Sequence, residues 1–329
     1  MVSEVTVHQD IWRALTDGLP VLITSHVRLD GDGIGSALAL CHALKGRGVR
    51  CRAVFEPPVP SMFEFLPGVD GNLALPADLP AAYQLVVIDC GALERVGEIA
   101  GSLTGAVQTI NIDHHDSNAQ FGDLNYVDSG ASSCGEMIRR LLATAGVPLS
   151  PEIADCLFTA IVSDTGQFSH RDTTAEALAV CAECVAAGAR PDVLVRRLFF
   201  SPSPAQVRLR QLALATLQFH CDGAIATMHV TEDMFGQTDL APVDTEGFAE
   251  IPVSIQGVQA SALLKEMPGC DYIKISLRSR GGMDVCAVAR CFGGGGHRNA
   301  AGCEIADTLD NVQNTVVTEL RKHLDTVPR

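Results

Sequence analysis

Residues 20–44 read PVLITSHVRLDGDGIGSALALCHAL. The opening run Pro20–Ser25 is short and apolar, the composition of a strand buried on both faces. His26, Asp30 and Asp32 follow on a loop punctuated by Gly31, Gly33 and Gly35. Apolar residues then recur at helical spacing over Ile34–Leu44, and Gly46 and Gly48 stop the helix. A buried strand, a polar loop and a helix in that order make one unit of a parallel sheet, because parallel strands need a crossover.

The alternation continues outward. Val49–Phe55 reads as a second strand, and Leu85–Asp89 (LVVID) and Val107–Ile112 (VQTINI) as two more. From about 130 to 219 the pattern is helical. Ser129 can cap a helix through Ala145, closed by Gly146. Pro151 suits the first turn of a helix ending near Asp164, Thr173 or Thr174 can cap an Ala-rich segment to Gly188, and Pro191 opens another helix. Ser201–His220 reads as a connecting helix behind two early prolines. In the last third, Ala224–Val230, Gln259–Leu264 and Tyr272–Arg280 alternate as strands do, and Met283–Phe292 reads as helix. The expected fold class is α/β: a parallel-sheet domain over 1–190, a helical linker over 191–222 and a smaller α/β domain over 223–329.

The chain has 329 residues, of which 47% are hydrophobic and 19% charged. That suits two globular domains at roughly 150 residues each and excludes a disordered chain. A net charge of -15 argues against wrapping long duplex DNA, which needs a basic surface. The charge is uneven: Lys265, Lys274, Arg278, Arg280, Arg290 and Arg298 face only Glu266, Asp271 and Asp284 over residues 255–302, a basic island in an acidic protein. The N-terminus MVSEVTVHQDIW lacks the basic and apolar regions of a signal peptide, and no apolar run is long enough to span a bilayer. A cytoplasmic protein with no membrane partner is expected. The 12 Cys have no framework spacing and suit free thiols in a reducing compartment. Cys181 and Cys184 form the one C-x-x-C pair and read as core thiols, since a structural zinc needs four ligands.

Four clusters carry chemistry. His26, Asp30 and Asp32 share one tight loop, with the alternative that the two carboxylates serve as turn and N-cap residues. Asp89 ends LVVID, again with a loop-capping alternative. Asp113-His114-His115 ends VQTINI, and adjacent histidines there are hard to explain as packing. Asp164 ends an apolar helix, where a carboxylate meets the wrong end of the helix dipole unless a cation compensates it. In an open parallel sheet such strand ends meet at one rim. Carboxylates with imidazoles suit Mn²⁺ or Mg²⁺, with Zn²⁺ or Fe²⁺ as further options. The only thiol expected inside these clusters is Cys90, which should face away from Asp89.

These motifs, in this order, resemble the DHH phosphoesterase superfamily, named for Asp113-His114-His115. The tail Gly294-Gly-Gly-His-Arg-Asn-Ala-Ala-Gly302 is similar to the signature of the DHH-associated domain of its exonuclease branch. The resemblance spans about 20 to 305 and, for so compact a chain, is greatest to the nanoRNase/pAp-phosphatase subgroup; the larger RecJ-type exonucleases carry extra domains. One departure stands in motif one, where Leu29 replaces the family's usual Pro.

The resemblance implies two divalent metal ions, Mn²⁺ foremost, bridged by Asp89. His26 and Asp30 would complete one site, and Asp32, His114 and Asp164 the other. Asp113 would orient the motif, and His115 would sit beside the scissile phosphate as electrostatic helper or proton donor. Two cations activate water without a protein base. The basic island then reads as a substrate clamp. Gly293–Gly296 can offer backbone N–H groups to an anion, with His297 and Arg298 as side-chain donors; a flexible turn between helix and strand is the alternative. Arg278 would hold a phosphate, unless it and Arg280 merely line a solvated strand face. His170, with Ser169 and Arg171, follows Asp164 on a loop that could touch the nucleotide, and Phe168 could stack on a base or serve the core. Aromatics are 5% of the chain, too few for an extended stacking platform.

The expected partners are therefore short RNA oligonucleotides or small nucleotides. The expected reaction is hydrolysis of nanoRNA to 5′-mononucleotides and of pAp to AMP. A cyclic dinucleotide (c-di-AMP) or linear pApA phosphodiesterase would use the same site, and a non-catalytic nucleotide or RNA sensor is the alternative of another class. A pyrophosphatase shares similar metal motifs but has a different second domain. Many members of the family are dimers, so a homodimer is allowed, but no interface pattern specifies one.

Overall fold

The computed structural model describes residues 4–69, 73–75, 79–245 and 247–324. The chain divides into two compact units, 1–201 and 202–329.

The first unit is built on five parallel strands: β1 (Val21–Thr24), β2 (Cys51–Ala53), β3 (Tyr83–Ile88), β4 (Ala106–Asp113) and β5 (Leu124–Val127). Their order is β2-β1-β3-β4-β5. The direction of winding reverses between β1 and β3, and at such a switch point the loops beyond the two strands part to leave a crevice. Helices α1 (Glu4–Leu15), α2 (Gly31–Gly46), α3 (Cys134–Thr144), α4 (Pro151–Asp164), α5 (Ala175–Ala186) and α6 (Pro191–Phe199) complete the unit. All of β3 is buried, as a strand covered on both faces must be.

The α2 segment has almost no polar face; from Gly31 to Leu44 only His42 is not buried. It crosses α4 so closely that a Cβ on Gly35 would stand 2.5 Å from the Cys156 carbonyl oxygen. A glycine there is a requirement of close approach, and it brings the N-terminus of α2 against the C-terminal half of α4.

The α3 helix starts later than its sequence suggests. Its cap is Ser133, whose side chain accepts the Glu136 N–H, and not Ser129. Residues 128–131 instead close a turn, with the Gly130 N–H on the Asp128 side chain and the Ala131 N–H on its carbonyl. Glu136 is wholly buried. It accepts from the Ser132 hydroxyl (2.8 Å) and the Thr174 hydroxyl (2.8 Å) and pairs with Arg140, which also reaches Asp128 and Glu176. This network ties β5, α3 and α5 together. Glu136→Ala leaves a partly buried guanidinium short of a partner and is expected to cost about 3 kcal/mol of unfolding free energy, read from urea melts.

The segment read as a linker is shared between the units. The α6 helix buries Leu194 and Leu198 in the first core, and α7 (Pro204–Leu214) buries Leu209 and Ala213 in the second unit. The expected single helix over Ser201–His220 is thus a shorter helix followed by strand β6 (Gln218–His220). Alternation is invisible in so short a strand. The second unit continues with β7 (Ile225–Val230), α8 (Glu232–Thr238), α9 (Glu250–Ser254), β8 (Ala260–Glu266), β9 (Ile273–Ser279), α10 (Val285–Arg290), β10 (Gly295–His297), β11 (Ala300–Ile305) and α11 (Leu309–Leu324). Its six strands run in the order β10-β11-β9-β8-β7-β6, with only β7 and β8 parallel. The α11 helix presents Val312, Val316 and Leu320, four residues apart, to this core. Among the described residues, no helix is long and apolar enough to cross a membrane.

Candidate active site

The ends of β1, β3, β4 and α4 meet beside the switch point. His26 follows β1, Asp89 follows β3, Asp113-His114-His115 closes β4, and Asp164 closes α4. Asp30 caps α2 and Asp32 lies in its first turn. All eight side chains come together in the first unit, through contacts of 4.0 Å or less.

Two donor sets share Asp89. Its Oδ2 lies 3.2 Å from His26 Nε2, which is 3.5 Å from Asp30 Oδ2. Its Oδ1 lies 3.7 Å from His114 Nε2, which is 3.3 Å from Asp164 Oδ2 and 4.0 Å from Asp32 Oδ2. Asp89 reaches both sets because its backbone is left-handed, with φ +56, which turns the chain off the strand as the Asp89 N–H still bonds the Ile112 carbonyl. Asp and Asn tolerate that conformation better than other side chains.

Asp30 caps a helix with one oxygen and leaves the other to the cluster. Oδ1 accepts the Gly33 N–H at 3.0 Å, and Oδ2 faces His26. Asp32 is held more tightly still: its Oδ1 accepts from Ser36 Oγ (3.0 Å) and the Gly135 N–H (2.9 Å), and its Oδ2 accepts the Cys134 N–H (2.7 Å). The amides come from the N-terminus of α3, where a carboxylate is favoured.

Both ring tautomers can be read. His26 Nδ1 is 2.7 Å from the Val27 carbonyl and His114 Nδ1 is 3.3 Å from the Ala131 carbonyl. A carbonyl only accepts, so each Nδ1 carries the proton and each Nε2 faces the carboxylates. That is the tautomer of a histidine ligand oriented through its other nitrogen. His115 turns its Nδ1 to a carboxylate instead of a backbone carbonyl. Its Nδ1 is 2.7 Å from Asp113 Oδ1, while Asn118 Nδ2 donates to Asp113 Oδ2 (2.6 Å) and to Asn111 Oδ1 (2.8 Å). Asp113 is thus fully buried and held from both sides.

The electrostatics are those of too many carboxylates in too little water. Burial, Asp89 and Asp30 push the Asp32 carboxyl up to about 7 against the pull of His114. Burial and the carboxylates of Asp32 and Asp89 push Asp164 well up. Burial alone would lower His114, but Asp164, Asp89 and Asp32 raise it to about 10, and Asp30 and Asp89 likewise raise His26 well above its ordinary value. Asp30 and Asp113 go down in spite of burial, held by His26 and His115 respectively. Carboxylates and imidazoles that keep protons in this way can exchange them for cations. The donor set fits divalent metal, and His26/Asp30/Asp89, Asp32/His114/Asp164 and Asp89/His114/His115 each converge closely enough to hold an ion.

One expectation is corrected. Cys90 does turn away, giving its thiol to the Ala92 carbonyl and packing in the cluster on the opposite face of the sheet. But Cys90 is not the only thiol to consider: Cys134, fully buried, sets its Sγ within reach of Asp32 and Asp89. Asn118, which holds Asp113, is a further contributor to the site that no motif in the sequence marks. Leu29 is buried in the core next to Arg28 at φ +63, so packing anchors the loop where the family has proline.

The remaining residues occupy other places. His170 lies on the loop after α4, its Nδ1 3.0 Å from the Asp164 carbonyl. Arg278 belongs to the second unit, on the half-exposed face of β9, with its Nε 2.6 Å from Glu250 Oε1. Gly295, Gly296 and His297 form β10, paired with β11, instead of an open loop. The N–H groups of Gly293 and Gly294 already bond to carbonyls of Arg290 and Ala289, so they are not offered to an anion. Gly294 and Gly296 are needed for the hairpin itself, since a Cβ would stand 2.1 Å from the Gly302 oxygen and 2.6 Å from the Ala300 oxygen, respectively. Arg298 donates to the Gly282 carbonyl at 2.7 Å.

Comparisons with known proteins show the family. The DHH family, N-terminal domain, matches residues 20–161, and the DHHA1 domain matches residues 224–325. The bifunctional oligoribonuclease and PAP phosphatase NrnA of Thermus thermophilus is 35% identical over 93% of this chain and 90% of its own length. The cyclic-di-AMP phosphodiesterase PdeA of Listeria monocytogenes is 27% identical over 95% of this chain, which spans 49% of that protein. Among solved structures, an exopolyphosphatase-related protein from Bacteroides fragilis superposes with a TM-score of 0.88 at 27% identity, covering 98% of each chain.

Proposed function

The chain belongs to the DHH phosphoesterase superfamily, in the branch that carries a DHHA1 domain, and on that premise we propose that it is a metal-dependent hydrolase of very short RNA and of pAp. The observation that carries the reading is Asp89, one carboxylate turned between two donor sets of the right chemistry. The similarity to an oligoribonuclease and PAP phosphatase over nearly the whole chain supports the substrate class.

His26, Asp30 and Asp89 would hold one divalent cation, and Asp32, Asp89, His114 and Asp164 a second, with Mn²⁺ the ion of first choice. Bound there, the cations supply an acidified water and neutralise phosphate oxygens. The protein's own groups do the rest. The Nδ1–H of His115 bonded to Asp113 leaves Nε2 for the phosphoryl group, and a proton carried on Nε2 can pass to the departing ribose oxygen. Asp113, locked by Asn118, keeps the ring in that tautomer. We assign Arg278, His297, Arg298 and His170 to substrate contact, and Gly294, Gly295 and Gly296 to the hairpin that carries His297.

Metal-stripped protein given back Mn²⁺ should release mononucleotide from a 5′-phosphorylated RNA dinucleotide and AMP from pAp, and neither in chelator. Intact dinucleotide and pAp after reconstitution would refute the proposal. Arg278→Ala should raise KM for pAp on the order of tenfold with kcat little changed, since a phosphate contact made equally in ground and transition states affects binding alone. A second reading, hydrolysis of cyclic or linear dinucleotides, is favoured by the similarity to PdeA. It uses the same residues, and turnover of c-di-AMP in preference to pAp would establish it.

A further inference from the structure

Among the described cysteines, Cys134 differs from the others in what surrounds it. It is the first residue of α3 and is 0% exposed. A buried thiol ordinarily packs as a small hydrophobe. Here the Sγ and one carboxylate oxygen each of Asp32 and Asp89 lie within 4.8 Å of one another. The two carboxylates are themselves only 1% and 3% exposed, and buried carboxylates are paired or coordinate metal. The position is fixed, because the Cys134 N–H bonds Asp32 Oδ2 at 2.7 Å. The thiol also points at the Ile112 carbonyl at 3.6 Å, a contact that sulfur makes weakly and gives up easily.

We propose that Cys134 is a soft donor to the cation shared by Asp32 and Asp89, so that the centre takes thiophilic divalent ions through a sulfur bond absent from an oxygen-and-nitrogen set. This rests on the reading of the cluster as a metal centre. Zinc bonds of about 2.3 Å to sulfur and about 2.0–2.2 Å to carboxylate set tetrahedral donor separations near 3.5 Å, which small side-chain rotations can reach from the present spacing. On binding, the sulfur–metal bond replaces the S–H bond and the proton leaves to solvent. Carboxylate donors suit manganese and magnesium and imidazoles admit zinc or iron as well, whereas a thiolate shifts the preference further toward zinc, cadmium and cobalt. Cys134 would thereby determine which ion occupies the centre in a mixture.

The test uses Co²⁺ as the probe on the full-length, metal-stripped protein. Wild type should show visible cobalt bands together with a near-ultraviolet sulfur-to-cobalt charge-transfer band. Cys134→Val, which removes the sulfur and leaves an apolar side chain about one methyl larger, should keep the visible bands and lose the ultraviolet one. Its Cd²⁺-to-Mn²⁺ affinity ratio should fall on the order of tenfold or more. Cys134→Ser serves in its place should the valine protein not fold. Visible bands without the sulfur band in wild type would overturn the proposal and leave the metal centre standing. A sulfur band that survives in the variant would assign it to another thiol and overturn the proposal too. No cobalt spectrum at all would remove the metal reading along with it.

Discussion

Asp89→Asn is expected to lower kcat/KM at least about a thousandfold, a loss of roughly 4 kcal/mol in transition-state stabilisation. The substitution is chosen to change charge and nothing else. Asn accepts the left-handed backbone at φ +56, so no strain is added. One Oδ remains, but it cannot face both His26 and His114 as an anion, and the amide nitrogen that replaces the other oxygen is a donor that no cation accepts. The shared ligand is lost while each flanking set keeps its own members. Circular dichroism and melting should therefore stay close to wild type, and the bound Mn²⁺ per chain, counted after gel filtration, should fall. A variant that retains more than about a tenth of wild-type kcat/KM would show that Asp89 does not bridge.

The same residue shows what a sequence can and cannot disclose. Asp89, His26 and Asp113-His114-His115 were legible because each ends an apolar strand, and a charged residue in that position has no packing role. The Pro151–Asp164 helix was legible to the residue, with proline opening it and a carboxylate closing it. Elements with little pattern were not. The β5 strand is four residues, LNYV, and β10 is Gly-Gly-His, which offers no apolar alternation. Overlooking β5 carried a cost at the site. The cap of α3 follows it, and with the cap misplaced at Ser129 nothing directed attention to Cys134. The thiol's nearness to Asp32 is in any case tertiary: it exists because α3 directs its first amides at a carboxylate on α2, more than a hundred positions away in the chain. Pairwise patterning also could not show that Gly293 and Gly294 give their N–H groups to α10. A glycine run before His-Arg looks the same whether it closes a hairpin or cradles a phosphate.

Thermal stabilisation by Mn²⁺ is expected to grow with pH, and the sign follows from the groups in the cluster. In the metal-free protein His114 is raised from 6.5 to about 10, so its protonated form stabilises the fold fully below 6.5 and that contribution is lost as pH rises through about 10. Asp32 is raised from 3.8 to about 7, so the fold favours its neutral form, and a penalty accrues as pH climbs from 3.8 to about 7 and persists above. Both make the metal-free protein weaker in alkali. A cation needs Asp32 charged and His114 neutral at Nε2, so it competes with the same protons and gains as they leave. One proton displaced is worth about 1.4 kcal/mol per pH unit. From pH 7 to pH 8.5 the proton on His114 alone gives about 2 kcal/mol, or roughly 4–8 °C at the 2–4 °C per kcal/mol usual for a domain of this size. Paired melts in chelator and in saturating Mn²⁺ measure it directly. The difference in Tm should widen by that amount between the two pH values, and Asp89→Asn should flatten it. A difference that stays constant or narrows with pH would mean that the protons held by His114 and Asp32 are not the ones a cation displaces, and the donor set would have to be redrawn without them.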